Sequence, residues 1–402
     1  MRSGLKPRGS VWIARVAGVR LYAHWSLLII FALIAVSLGG RVFPAWHPEW
    51  SAFTSWTIAV SAALLFLASI AVHELAHALV GRRQGFEVDH IVLFVFGGMA
   101  RSRGEPKSPK GELVTAAVGP LTSLVLGLGA TLIGITLAAD ALALRHTDPQ
   151  AAMAHVGPVA TLLLWLGPVN ILLAVFNLIP GFPLDGGRVL RAVLWWWTDD
   201  MTRATRWASY AGQAAGWLFV MCGALMAVGV PIPYLGVGLV PGLWLGLIGW
   251  FVASAAQSSF RGLLIREQLQ HVPVHMLMRS HLVSVRPDLP LSELMSDYLM
   301  RLDQRAFPVR EEDGPVLGLV CLEDMRRVDR DTWPATPVRS VMTPATALHT
   351  VELTDDGMTA LQTLGEYEVD QLPVIDHGAL RGMVRRADIM KWLTLHVSEL
   401  PH

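Results

Sequence analysis

The residues best suited to chemistry are His73, Glu74 and His77, in the run Val72-His73-Glu74-Leu75-Ala76-His77. On a helix the two histidines lie one turn apart on one face, where both imidazoles can reach a single metal ion, and Glu74 stands beside them as a base. Two neutral imidazoles and one carboxylate form a common catalytic zinc set, leaving a fourth position for a water whose pKa the metal lowers toward neutrality. The surrounding run is apolar. His and Glu are costly to desolvate there, so the segment demands a metal or polar partners. A third ligand must come from elsewhere at the same depth. Asp185 meets that demand, in Asn177-Leu-Ile-Pro-Gly-Phe-Pro-Leu-Asp185-Gly-Gly-Arg188, although Asp-Gly is also an ordinary turn pair.

These residues need elements to hold them, and the composition says which kind. The chain has 402 residues, 53% of them hydrophobic and 16% charged, with the charges crowded into the N-terminal tail, a few loops and the last third. That pattern predicts a membrane part followed by a soluble part. Apolar runs near 22–39, 55–80, 112–138, 157–180, 205–229 and 232–257 are long enough to cross a bilayer, which makes about six transmembrane helices. In the last pair, Pro231, Pro233 and Pro241 leave open whether residues 229–257 form a hairpin or a re-entrant segment. The histidine pair closes the second run, and Asp185 follows the break of the fourth run at Pro180 and Pro183.

Loop charges give the orientation. The N-terminal tail, the loop with Arg82, Arg83, Arg101, Arg103, Lys107 and Lys110, and the loop with Arg188, Arg191, Arg203 and Arg206 are basic. The loops between them hold only Arg41 and Arg145. Both termini are therefore expected to be cytoplasmic, with both motifs near that face. Arg2, Lys6, Arg8, Arg15 and Arg20 precede the first apolar run without a small-residue cleavage site, which reads as a retained signal anchor. A formal net charge of +0 gives no reason to expect a nucleic-acid partner. Only Cys222 and Cys321 occur, so any metal is held by nitrogen and oxygen rather than thiolates. His24 beside Trp25, and Trp195, Trp196 and Trp197, fit an interfacial belt.

From about residue 268 the texture becomes mixed in charge, with short β-rich runs such as Val316 to Cys321. Met278 and Met342, Pro308 and Pro373, Gly318 and Gly382, and Asp324 and Asp388 recur at offsets of 64 or 65 residues, which reads as two copies of one α/β unit. The expected architecture is an α-helical polytopic membrane protein over 1–260 with a tandem α/β module over 268–398, its copies at about 271–330 and 336–398.

The His73-Glu-x-x-His77 motif, Asn177-x-x-Pro-x-x-Pro-x-Asp185-Gly, Phe96-Gly97-Gly98 and Gly119-Pro120 together resemble, over residues 15 to 260, the site-2 protease family of intramembrane zinc metalloproteases. The resemblance implies cleavage of a peptide bond in or near the membrane span of another protein once that span unwinds, with His73, His77 and Asp185 on one Zn2+ and Glu74 as general base. It gives Asn177 one of two roles, orienting the loop of Asp185 or stabilising the oxyanion. It implies a substrate such as a single-span anti-sigma or pro-sigma type regulator in the lipid bilayer of a bacterial cell membrane. Residues Phe96 to Met99 offer either an edge strand for that substrate or a tight glycine turn.

The repeats, with Val341-Met342-Thr343-Pro344, Leu372-Pro373-Val374 and Gly382-Met-Val-Arg-Arg-Ala-Asp388, resemble a tandem CBS (Bateman) module. That resemblance implies an adenine nucleotide touching Asp324 and Asp388, and a homodimer formed through the module. Cys321 and Arg385 stand where a Ser or Thr is usual, and both aspartates also suit helix N-termini. A CBS-regulated transporter explains the spans and the tail but not the histidine motif. An inactive binding relative would not need all four catalytic residues.

Overall fold

The computed structural model describes residues 9–85, 87–95, 97–103, 106, 108–143, 155–233, 235–312 and 314–396. It comprises two compact units, Met1–Phe260 and Arg261–His402.

The first unit opens with a hairpin, β1 (Ser10–Val16) and β2 (Val19–His24), followed by α1 (Leu27–Trp46), α2 (Ala52–Arg83), β3 (Glu87–Phe94), β4 (Gly97–Arg103), α3 (Pro109–Leu137), α4 (Pro158–Asn177), α5 (Asp185–Thr198), α6 (Met201–Ala227) and α7 (Leu239–Leu269). Six of these helices, α1 to α4, α6 and α7, are long and apolar enough to span a membrane. Phe53, Leu132, Leu172 and Val240 on them point outward, an arrangement suited to lipid and not to water. Local signals set the ends. Ser51 accepts from the Thr54 N–H and caps α2, while Arg82 and Arg83 close it. Ser108 caps α3 ahead of Pro109, and Asp200 caps α6.

One sequence expectation is corrected. The first span begins at Leu27, because Val19 to His24 alternate as a strand whose Val19 and Leu21 join Val88, Ile91 and Leu93 in a core against Ala78. Beside the six expected spans the membrane unit carries a small sheet. Its four strands form one sheet in the order β1-β2-β3-β4, with β2 and β3 parallel and β4 at an edge. Residues 229–257 form a turn and then α7, with Pro241 in its first turn, where a missing N–H costs nothing.

The second unit holds two three-stranded sheets. β5 (Ala306–Val309), β6 (Gly318–Cys321) and β7 (Thr343–Pro344) make one; β8 (Val351–Glu352), β9 (Gln371–Asp376) and β10 (Ala379–Arg385) make the other. Each has its own core, around Phe307 and Val320 or around Leu364 and Val374. The repeated landmarks pack reciprocally. A Cβ on Gly318 would meet Met342 Sδ at 3.2 Å, and one on Gly382 would meet Met278 Sδ at 2.8 Å. Glycine at each place lets a strand of one copy lie against the methionine of the other.

Candidate metal centre

α2 carries His73 and His77 on one face, both buried. α5 begins at Asp185, directly after the turn through Pro180 and Pro183. The donor atoms converge: His73 Nε2 and His77 Nε2 lie 3.1 and 3.0 Å from Asp185 Oδ2 and 3.2 Å from each other. Among the described residues this is the one cluster of three His, Cys, Asp or Glu side chains with metal-binding spacing.

α3 sets the other side of both rings, with Thr115, Gly119 and Ser123 each one turn after the last. His77 Nδ1 lies 2.7 Å from the Thr115 carbonyl oxygen, and His73 Nδ1 lies 2.9 Å from Ser123 Oγ. A carbonyl only accepts, so His77 Nδ1 carries a proton, and in the neutral tautomer the lone pair of Nε2 faces the Asp185 carboxylate oxygen. Three such atoms about 3 Å apart suit a shared cation. The separations are close to the roughly 3.3 Å edges of a tetrahedron with zinc–ligand bonds of about 2.0–2.1 Å. Gly119 leaves the space: a Cβ there would stand 2.6 Å from His77 Cε1 and 2.7 Å from His73 Nε2. The residues present therefore fit a zinc ion.

Glu74, half-buried, faces the sheet and accepts a hydrogen bond from the Gly98 backbone N–H. A Cβ on Gly98 would come within 2.6 Å of Glu74 Cδ, so only glycine brings the backbone of β4 this close. Gly97 and Gly98 start that strand, with Gly97 at φ +128°; Phe96 lies outside the described residues. Asn177 ends α4, half-buried, and its side chain forms no hydrogen bond among the described residues. The outer bonds from Thr115 and Ser123 were not read from the sequence. The small residues recurring every fourth position around Gly119-Pro120 were the available signal.

The module's two aspartates are placed otherwise. Asp324, buried at the start of the helix Leu322–Met325, accepts from the Cys321 N–H at 2.9 Å and from its thiol, closing a capping box. Burial and then the Asp324 carboxylate push the Cys321 thiol up to about 12. Asp388 accepts from Arg385 Nε at 2.7 Å and from an Arg385 terminal nitrogen at 2.9 Å, with Arg279 at 3.4 Å. Arg279 and Arg385, with Asp303, line a cleft of about 210 Å³. His24 is held by Ser26, 2.8 Å from its Nδ1, and Trp196 and Trp197 are exposed on α5.

The family model for peptidase family M50 matches residues 61–147 and 140–221, and that for the CBS domain matches 273–331 and 338–395. A Synechocystis sp. protein named "Putative zinc metalloprotease sll0528" is 32% identical over 386 residues, 96% of this chain and 95% of that protein. The Mycobacterium tuberculosis protein named "Putative zinc metalloprotease Rip3" is 30% identical over 390 residues, 97% and 94% of the two chains. Among solved structures, the site-2 protease from Methanocaldococcus jannaschii is 23% identical, covering 63% of this chain and 95% of that one with a TM-score of 0.40. With six membrane-spanning helices, the chain is a multi-pass integral membrane protein. It belongs to the site-2 protease family of zinc metalloproteases, peptidase family M50, and carries two CBS domains.

Proposed function

We propose that this chain hydrolyses a peptide bond in or near the membrane-spanning segment of another membrane protein, with a single-span regulator as the substrate class. The observation that carries the reading is the convergence of His73, His77 and Asp185 as three electron-pair donors, with Glu74 beside them and an open strand edge beside Glu74. His73, His77 and Asp185 would hold the metal. Zinc, when bound, acidifies a coordinated water and polarises the scissile carbonyl. Glu74 would take a proton from the attacking water and give it to the departing amine nitrogen. Among the described residues β4 is paired on one side only, and its other edge can take up an unwound substrate segment as a further strand and satisfy its polar groups in a dry setting.

Asn177 would orient the Asp185 turn by hydrogen-bonding to it. Its side chain makes no such bond among the described residues, which favours the other role, donation to the oxygen of the scissile carbonyl. The basic residues at the end of α2 and along α5 support cytoplasmic termini and a site near that face. An adenine nucleotide that modulates the enzyme through the CBS pair must exchange the internal bonds of Asp388 for contacts of its own.

The deciding experiment is zinc content per chain of the detergent-purified wild type beside Asp185→Ala. About one zinc in the wild type, lost or weakened in the variant, is the expected result. A wild type that stays metal-free after zinc is supplied overturns the reading. Reconstitution with a single-span substrate then tests cleavage.

A further inference from the structure

Glu112 and Arg191 play no part in the chemistry above, yet they form an ion pair whose carboxylate is fully buried. Glu112, in the first turn of α3, is 0% exposed. Its Oε1 accepts from Arg191 Nε at 2.8 Å and from an Arg191 terminal nitrogen. Arg191 lies on α5, less than two turns beyond Asp185. Its guanidinium also stands 5.2 Å from the ring centre of Phe182, in the turn that leads into Asp185.

α3 is thus the common reference for all three donors. One turn beyond Glu112 the Thr115 carbonyl holds His77, and two turns further Ser123 holds His73. Glu112 itself holds the helix of Asp185. Replacing a buried ion pair by apolar residues of similar volume is often neutral or stabilising, so net stability is a poor reason for this one. Two guanidinium nitrogens closing on one oxygen, Oε1, of a fully buried carboxylate do fix distance, while Oε2 is buried with no partner among the described residues.

We infer that the Glu112–Arg191 pair is a positioning device for the metal centre, setting Asp185 in register with His73 and His77 through α3. The inference rests on the zinc reading above. The test is zinc affinity, by chelator competition on the purified full chain, together with the visible spectrum of the Co2+-substituted protein, which reports coordination geometry. Glu112→Gln should weaken zinc about 10–100-fold, the range for groups that orient ligands, and should alter the Co2+ spectrum. In an Asp185→Ala background the same change should have no further effect on zinc.

Arg191→Lys keeps the charge, loses the fork and should show a smaller loss in the same direction. It decides the matter if Glu112→Gln does not fold. A merely structural pair would lower the unfolding temperature and leave both readouts unchanged. That outcome, or an undiminished Glu112→Gln loss in the Asp185→Ala background, overturns the inference. Zinc-free wild type would instead sink the metal centre itself.

Discussion

Asp185 and Asp388 stand in motifs that the sequence makes equally conspicuous, yet their lone pairs meet opposite surroundings. Around Asp388 every close partner is a donor: Arg385 supplies two hydrogen bonds and Arg279 approaches at 3.4 Å. Around Asp185 the close partners are two imidazole nitrogens, one of them turned lone pair first by the bond of its ring to Thr115. A half-buried carboxylate surrounded by donors is complete. One that meets an imidazole lone pair is suited to share a cation with it. The difference lies in what the second nitrogen of the histidine does.

The largest expected effect separates chemistry from metal binding inside the membrane unit. Glu74→Gln should lower cleavage of a reconstituted single-span substrate by at least about 10²–10⁴-fold, the contribution of a positioned base, while zinc per chain stays near the wild-type value. Wild-type turnover in this variant would remove Glu74 from the proton path. Next in size, Gly119→Ala places a methyl carbon against both histidine rings. Zinc affinity should fall about 10–100-fold, measured by chelator competition. Full affinity would mean that α3 yields, and that Gly119 does not shape the cavity.

Much of this was legible beforehand. His73, His77 and Asp185 were readable because a helix repeats every 3.6 residues and because loop charges placed both motifs at one depth, and the six spans followed from apolar length alone. The N-terminal hairpin was not legible. Its basic residues resemble a signal anchor, and Ser10–Val16 forms a strand only by pairing with β2, which in turn pairs with residues some seventy positions away at His90 to Leu93. Glu112 and Arg191 were invisible for a similar reason. Each is a common charged residue near a loop, and only the packing of α3 against α5 brings them together.

On the module side the effects should be smaller and should leave zinc untouched. Asp324→Ala removes the capping box at Leu322–Met325 and should cost about 0.5–2 kcal/mol of local stability, read as faster hydrogen exchange there in the full chain. If instead Asp324→Ala leaves exchange unchanged but abolishes binding of an adenine nucleotide, then Asp324 is a ligand contact and not a cap.

The smallest effect concerns acid. Burial raises the pKa of Asp388, but Arg385 and then Arg279 lower it by more, so its carboxyl sits below the usual carboxylate range. The stability from this pairing is fully present above the unfolded value of about 3.9 and is lost as pH falls through the lower folded value. Hydrogen-exchange protection of the β9–β10 hairpin, corrected for intrinsic rates, should therefore decline below about pH 4. In Arg385→Ala the decline should be shallower, by no more than about 1 kcal/mol for a pair this close to solvent. Equal slopes in the two proteins would mean that Arg385 does not fill the valence of Asp388, and that this carboxylate, like Asp185, is left to seek a partner from outside the chain.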